Sequence, residues 1–221
     1  MRKFLVTIIG TQPLLLHNDD IEWTDRMDAW KLANGKKSPK AGDDRNPAWR
    51  WIGSLYHNEA GYLILPRSNI MRLLMEGAAG VLVPGAKNNK TFKAQSQSGI
   101  IPCEDGWPLL VNDEPVPFAP IEALMNEPDF KVHQEAVRRL GFSLYPKRAR
   151  VGQSKHIRVR PRFDQWGARG ELEVVDDQIT ESVLAQILDV AGRFKGLCDW
   201  RPSSPTPGTF GMFSAAVDQV L

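Results

Sequence analysis

Three arginines at alternate positions, Arg158, Arg160 and Arg162, are the residues whose types and spacing point most directly to a chemistry. In an extended strand, Ile157, Val159, Pro161 and Phe163 fall on one face and the three guanidiniums project together from the other. Neighbours on that face stand about 6.6 Å apart at about 3.3 Å of rise per residue, close to the phosphate spacing of an extended single strand. A guanidinium grips a phosphate through a planar fork of two hydrogen bonds. The competing account is an edge strand protected by charge and by Pro161. Further cations just upstream, Lys147, Arg148, Arg150 and Lys155, favour a polyanionic partner. They lie in Tyr145 to Lys155, which reads as a hairpin-like projection with Gly152-Gln153 near its tip. Tyr145 and Phe142 offer rings for stacking bases, although aromatics beside a strand more often belong to the core.

The distribution of charge supports the same partner class. The net charge is only +2, yet no acidic residue falls between Glu135 and Asp164. A second acid-free interval, Gly77 to Cys103, carries Lys87, Lys90 and Lys93, while acids gather at Asp19-Asp20-Glu22, at Glu104-Asp105 and from Glu171 to Glu181. Segregation of this kind builds a local positive field even when the sum is near zero.

Other chemistries find little support. His17, His57, His133 and His156 lack zinc-ligand spacing, and Cys103 and Cys198 lie far apart. His17 beside Asp19 and Asp20 has the groups for acid–base cleavage of RNA, but a polar turn after a strand is the blander and preferred account. There is no Gly-Lys-Ser/Thr phosphate loop and no dinucleotide glycine fingerprint, so no cofactor is expected. The seven tryptophans read as packing anchors.

The elements that must position these groups follow from periodicity. Lys3 to Ile9 reads as a buried strand stopped by Gly10 and Pro13. Trp23 to Leu32 suits a helix, and Gly35 to Pro47 a polar loop. A short strand at Tyr62 to Leu65 precedes a helix capped by Ser68, with Ile70, Leu73, Leu74 and Ala78 on one face and Gly80 at its end. Val83 to Ser98 reads as a mobile loop, Ile100 to Pro102 as a strand, and Glu127 to Leu140 as a surface helix. Thr180 caps a helix whose Val183, Leu184, Ile187, Leu188 and Ala191 form one stripe, and a last strand begins near Phe210. With 42% hydrophobic and 24% charged residues in 221, the chain has the composition of a globular protein. No apolar run reaches the ~18 residues of a membrane helix, and two cysteines without metal spacing favour a reducing, cytoplasmic setting. Irregularly alternating strands and helices with polar insertions suggest one α+β domain over residues 1–221.

Three segments carry a family resemblance. Gly10-Thr11-Gln12-Pro13-Leu14-Leu15-Leu16-His17-Asn18 after the opening strand resembles the first strand and turn of the RAMP superfamily. Leu65-Pro66-Arg67-Ser68-Asn69-Ile70, before a helix ending Gly77-Ala78-Ala79-Gly80, is similar to its strand-proline-helix step. Gly192-Arg193-Phe194-Lys195-Gly196 through Arg201-Pro202, followed by Pro207-Gly208-Thr209-Phe210-Gly211-Met212-Phe213, looks like its C-terminal glycine-rich loop and strand. Within that superfamily the chain looks most like the backbone subunit of CRISPR effector complexes, although it is short for one and its tail loop is proline-rich.

The resemblance implies an α+β, RRM-like (ferredoxin-like) antiparallel sheet palm, a helical insertion over 20–58 and a thumb-like hairpin over 145–159. It also implies the absence of the sheet-face aromatic motif of ordinary RRMs. Binding would then rest on phosphate contacts. The implied partners are guide RNA and a complementary single-stranded target, copies of the chain itself in a head-to-tail filament, and other effector subunits, with no membrane. The expected contacts are His17, Asn18, Arg67, Arg72, Lys87, Lys90, Lys93, Lys147, Arg148, Arg150, Lys155, Arg158, Arg160, Arg162 and Arg201, with tail glycines letting phosphate approach backbone amides. No catalysis is expected. The alternatives are a RAMP-type endoribonuclease using His17 with Asp19 or Asp20, and a single-stranded DNA-binding or annealing protein.

Overall fold

The opening run of β-branched and aromatic residues forms β1 (Arg2–Gly10), whose partners come from the far end of the chain. A computed structural model describes residues 1–34, 42–151 and 154–220, without the side chains at 150, 151 and 154. After β1 come β2 (Leu14–Leu15), α1 (Ile21–Asn34), β3 (Ile64–Pro66), α2 (Arg67–Ala78), α3 (Lys93–Gly99) and β4 (Ile100–Pro102). The middle of the chain holds β5 (Gly106–Val111), β6 (Glu114–Pro115), α4 (Ala119–Glu122), α5 (Phe130–Arg139), β7 (Ser143–Val151) and β8 (Ser154–Phe163). It ends with β9 (Gly167–Val174), α6 (Glu181–Val190) and β10 (Phe213–Gln219).

The main sheet is antiparallel throughout and runs β10-β1-β9-β5-β3, with β4 also paired to β9 and β6 to β5. Its centre is a ferredoxin-like unit: β1, helix α2, a strand split into β4 and β5, β9, helix α6, then β10 beside β1. Phe4, Val6 and Ile8 of β1 join Ala168, Leu172 and Val174 of β9 in one buried cluster with Ile70, Leu73 and Leu74 of α2 and Leu184, Ile187 and Leu188 of α6. The two helices meet at Gly77, where a Cβ would strike the backbone carbonyl of Ile187. The opposite positions of β1 and β9, Lys3, Leu5, Thr7 and Ile9 with Arg169, Glu171 and Glu173, are half-buried or exposed and include no ring.

A second sheet, β2-β8-β7, carries the long hairpin over 143–163, wider than the expected 145–159. The predicted insertion over 20–58 contains α1, two residues longer at each end than expected, and a 3-10 turn at Ala48–Ser54. Part of the predicted loop (residues 35–41) and the hairpin tip Gly152-Gln153 lie outside the described residues.

Several local expectations need correction. Ser68 does not cap α2. Strand β3 runs straight into the helix through Pro66, so Ser68 is already inside the first turn. The end of the loop expected over Val83 to Ser98 is instead taken up by the helix Lys93–Gly99, anchored by buried Phe92 and Ser96 and packed on α2. The helix expected from Glu127 begins at Phe130, capped by the Asp129 side chain on Lys131 N at 2.8 Å. Its His133 is buried and fully partnered: Nδ1 accepts from Trp51 Nε1 at 3.0 Å, so Nε2 donates to the Glu127 carbonyl at 2.9 Å. Thr180 caps α6 as the sequence predicts, accepting from Val183 N at 3.3 Å. Among the described residues, no helix is long and apolar enough to cross a membrane.

Candidate nucleic-acid interface

The second sheet supplies the wall of a large cleft. Alternation along β8 works as expected: Val159, Pro161 and Phe163 are buried, while Arg158, Arg160 and Arg162 share the other face. Cross-strand partners share a face, so the pairs Lys147↔Arg158 and Tyr145↔Arg160 place Lys147 and Tyr145 with the arginines. The same register turns Arg148 and Lys155 to the opposite side. Arg148 nevertheless borders the cleft. The Arg150 side chain lies outside the described residues.

The cleft, about 1050 Å³, lies between the hairpin, α1 with the turn before it, and the tail loop around Asp199 to Thr206. The arginines along its floor are not free cations. Arg158 Nη1 lies 3.3 Å from Asp44 Oδ1, and Arg160 Nε donates to Asp199 Oδ2 at 3.2 Å. Arg162, towards the strand end, is paired to Asp164 at 2.7 Å and does not line the cleft. The expectation of three guanidiniums tracking three phosphates thus reduces to two in the cleft, each already oriented by a carboxylate.

His17 sits at the rim with Nδ1 4.0 Å from Asp199 Oδ2. Burial and the nearby Arg160 charge lower its pKa against the opposing pull of Asp199 and Asp19, which favours the neutral imidazole. Asn18 clips the turn to the 3-10 segment: its Nδ2 donates to the Leu55 carbonyl at 3.2 Å, and its backbone N to Ser54 O at 3.0 Å. Asp20 caps α1, accepting from Glu22 N at 2.9 Å.

The tail loop contributes a residue that sequence reasoning passed over. Trp200 holds φ at 47° and Cys198 holds φ at 62°, both in the left-handed region that side chains rarely adopt. That backbone presents the Trp200 ring to Lys147, whose Nζ lies 2.9 Å from the ring centroid, and stacks it on Phe210 at 5.4 Å. The Trp23 ring of α1 lines the opposite wall. Arg50, which joins the floor, was also missed. Its position between Trp49 and Trp51, a cation flanked by large rings, was the available signal.

The remaining expected contacts are dispersed. Arg201 is buried and held by Glu76 through Nη1–Oε2 at 2.6 Å and Nη2–Oε1 at 3.0 Å, with Ser203 Oγ closing the cluster. This is an internal tie from α2 to the tail. Arg72 lies on the same helix, 2.8 Å from Glu76, and lines a smaller cavity of about 240 Å³ that shares His17 and Asp199 with the cleft. Arg67 is exposed at the start of α2, and Lys87, Lys90 and Lys93 are exposed around α3; none of the four lines the cleft. The tail glycines do not offer amides to a ligand. Gly196, Gly208 and Gly211 spend their amides inside the protein, donating to the carbonyls of Ala191, Arg201 and Pro13 at 2.9, 3.2 and 2.8 Å. Phe142, read as a ring for stacking bases, is likewise absorbed, buried and stacked on Phe163 at 4.6 Å.

Fold and site together define an α+β protein with a ferredoxin-like sheet and an arginine-floored, tryptophan-walled cleft built outside that sheet. No family model and no curated protein matches the chain.

Proposed function

We propose that this chain binds single-stranded RNA by its phosphate backbone in the cleft between hairpin, α1 and tail loop, and does no chemistry on it. The observation that carries the reading is the convergence of Lys147, Arg158, Arg160 and Trp200 on one open cleft. Cations for phosphates beside rings for bases are the two parts of a single-strand site. The ring-free outer positions of β1 and β9 favour binding by phosphate over the sheet-face base stacking of ordinary RRMs. The family resemblance supplies the biological form of the proposal: a backbone subunit that polymerises head to tail along guide RNA beside other effector subunits, in the cytoplasm.

The test is to express the chain alone, purify it at low salt and characterise what accompanies it. High absorbance at 260 nm, RNA of regular length steps and large particles on sizing support the reading. A monomer that ignores single-stranded RNA and DNA across a salt series sinks it, and the cleft is then a protein-partner surface. Equal competition by DNA of the same length favours the DNA-binding alternative, since only RNA offers the 2′-hydroxyl.

The endoribonuclease alternative draws on one observation, the neutral-leaning His17 imidazole beside Asp199 and Arg160. Loss of cleavage with binding intact in His17→Ala supports it. The expected result is that no cleavage is seen in the wild type.

A further inference from the structure

We propose that the cleft floor is a seat for a single phosphate group, formed by Arg50, Arg158 and Arg160 and organised by the buried carboxylate of Asp44. The proposal rests on the RNA-binding reading for its biological ligand, but the seat itself is argued from geometry. Asp44 is pinned to β8 by its backbone, with N donating to the Ile157 carbonyl at 2.9 Å. Its side chain is only 5% exposed and faces three guanidiniums: Arg50 at 3.0 Å, Arg158 at 3.3 Å and Arg160 at 3.8 Å. Arg50 arrives from the Ala48–Ser54 turn, so two separate elements deliver charge to one point.

Three cations meeting one buried carboxylate are not a balanced internal cluster. Asp199 takes up part of the excess through Arg160, and one positive charge remains over. A phosphodiester carries one negative charge. The Arg50 and Arg158 side chains are 32% and 31% exposed, and among the described residues their only acceptor is Asp44. Each guanidinium has five N–H donors, so most of their donors remain for an anion in the cleft. Asp44 is therefore a positioning residue: it holds the guanidiniums in one orientation before the ligand arrives, which lowers the ordering cost of binding.

Two readouts test this, each with folded variants checked by thermal melting. The first is the shift in Tm with inorganic phosphate against chloride at matched ionic strength. The second is the affinity for a fluorescent single-stranded RNA. Phosphate is expected to raise the wild-type Tm, and Arg50→Gln to abolish that rise. Arg50→Gln and Asp44→Asn are each expected to weaken RNA binding at least about tenfold, the loss of a charge-assisted contact. The result for Asp44→Asn is diagnostic because it removes a negative charge: a role for the field alone predicts tighter binding. Arg50→Lys, which keeps the charge and loses the fork, is expected to fall between wild type and Arg50→Gln, and it carries the test if Asp44→Asn fails to fold.

RNA bound equally by wild type and folded Arg50→Gln, with no specific effect of phosphate, overturns the seat and leaves the RNA reading standing. A phosphate effect lost in Arg50→Gln, without RNA binding by the wild type, keeps the seat and overturns the RNA reading. Absence of both effects overturns both.

Discussion

Glu76 and Arg201 face each other through two hydrogen bonds, 2.6 and 3.0 Å, that fasten the last turn of the first packing helix to the tail loop. Breaking a buried pair from one side leaves its partner charged and unmatched, at a cost of about 3–5 kcal/mol. Glu76 is part-exposed and keeps Arg72 and Ser203 as partners, so Arg201→Ala is expected to lose less than that in urea melts, about 1–3 kcal/mol. RNA affinity per folded molecule should change little, because the Arg201 side chain points into the protein.

The same pair gives stability an acid limit. Burial pushes the Glu76 pKa up, but hydrogen bonds from Arg201, Arg72 and Ser203 outweigh this and bring it down to about 2 from an ordinary 4.5. A depressed folded-state pKa means the contribution is fully present above about 4.5 and is lost as pH falls through about 2. Glu76→Gln should therefore be less stable than wild type at pH 6. The gap should narrow progressively in melts taken between pH 4.5 and 2.

The register of β7 on β8 separates cations that are neighbours in sequence. Lys147→Gln and Arg158→Gln should each weaken single-stranded RNA binding several-fold and make the log–log salt slope shallower by about 0.7. Lys155→Gln, on the opposite face, should leave both within experimental scatter. Anisotropy titrations at four salt concentrations decide between this and a hairpin that binds on both sides.

Trp200 holds the Lys147 ammonium against its ring and stacks on Phe210, so it serves RNA by placing that cation. Trp200→Leu is expected to weaken RNA binding several-fold and to make the salt slope shallower, as Lys147→Gln does. An unchanged slope would mean that the ring itself stacks a base.

Gly77 sits where the two core helices touch. Gly77→Val inserts carbon atoms against the Ile187 carbonyl, and overpacking of this kind costs about 1–3 kcal/mol or more. Tm should fall accordingly, with no effect on RNA affinity per folded molecule.

Residues with strict periodicity were legible from the sequence. The stripes at Ile70, Leu73, Leu74 and Ala78, and at Leu184, Ile187, Leu188 and Ala191, all lie in the core, and the alternation at 157–163 placed the arginines on one face. Strands β5 and β9 were not read. In β9 the buried positions include Ala168 and Gly170, and the intervening charges Arg169, Glu171 and Glu173 looked like a polar stretch. Gly170 is there because the Trp107 ring occupies the space a side chain would need, a relationship between residues far apart in sequence. The site was half legible for the same reason. Positive residues could be seen, but not Asp44 and Asp199, the acids from distant segments that engage them. Arg201 reads as one more cation until Glu76 is known to stand beside it.

The pairing of β1 has a consequence for how the chain is made. Its two neighbours are β9 and β10, so Phe4 waits for Leu172 on one side and Gln219 on the other. At the usual pace of about 5–20 residues per second, the first of these waits, for Leu172, is roughly ten to thirty seconds of translation. Throughout it, the run Phe-Leu-Val-Thr-Ile-Ile has no edge to join. A chain stalled before β10 would carry an open strand edge along this segment, the form most prone to pair with another nascent chain. Strand β10 thus protects β1.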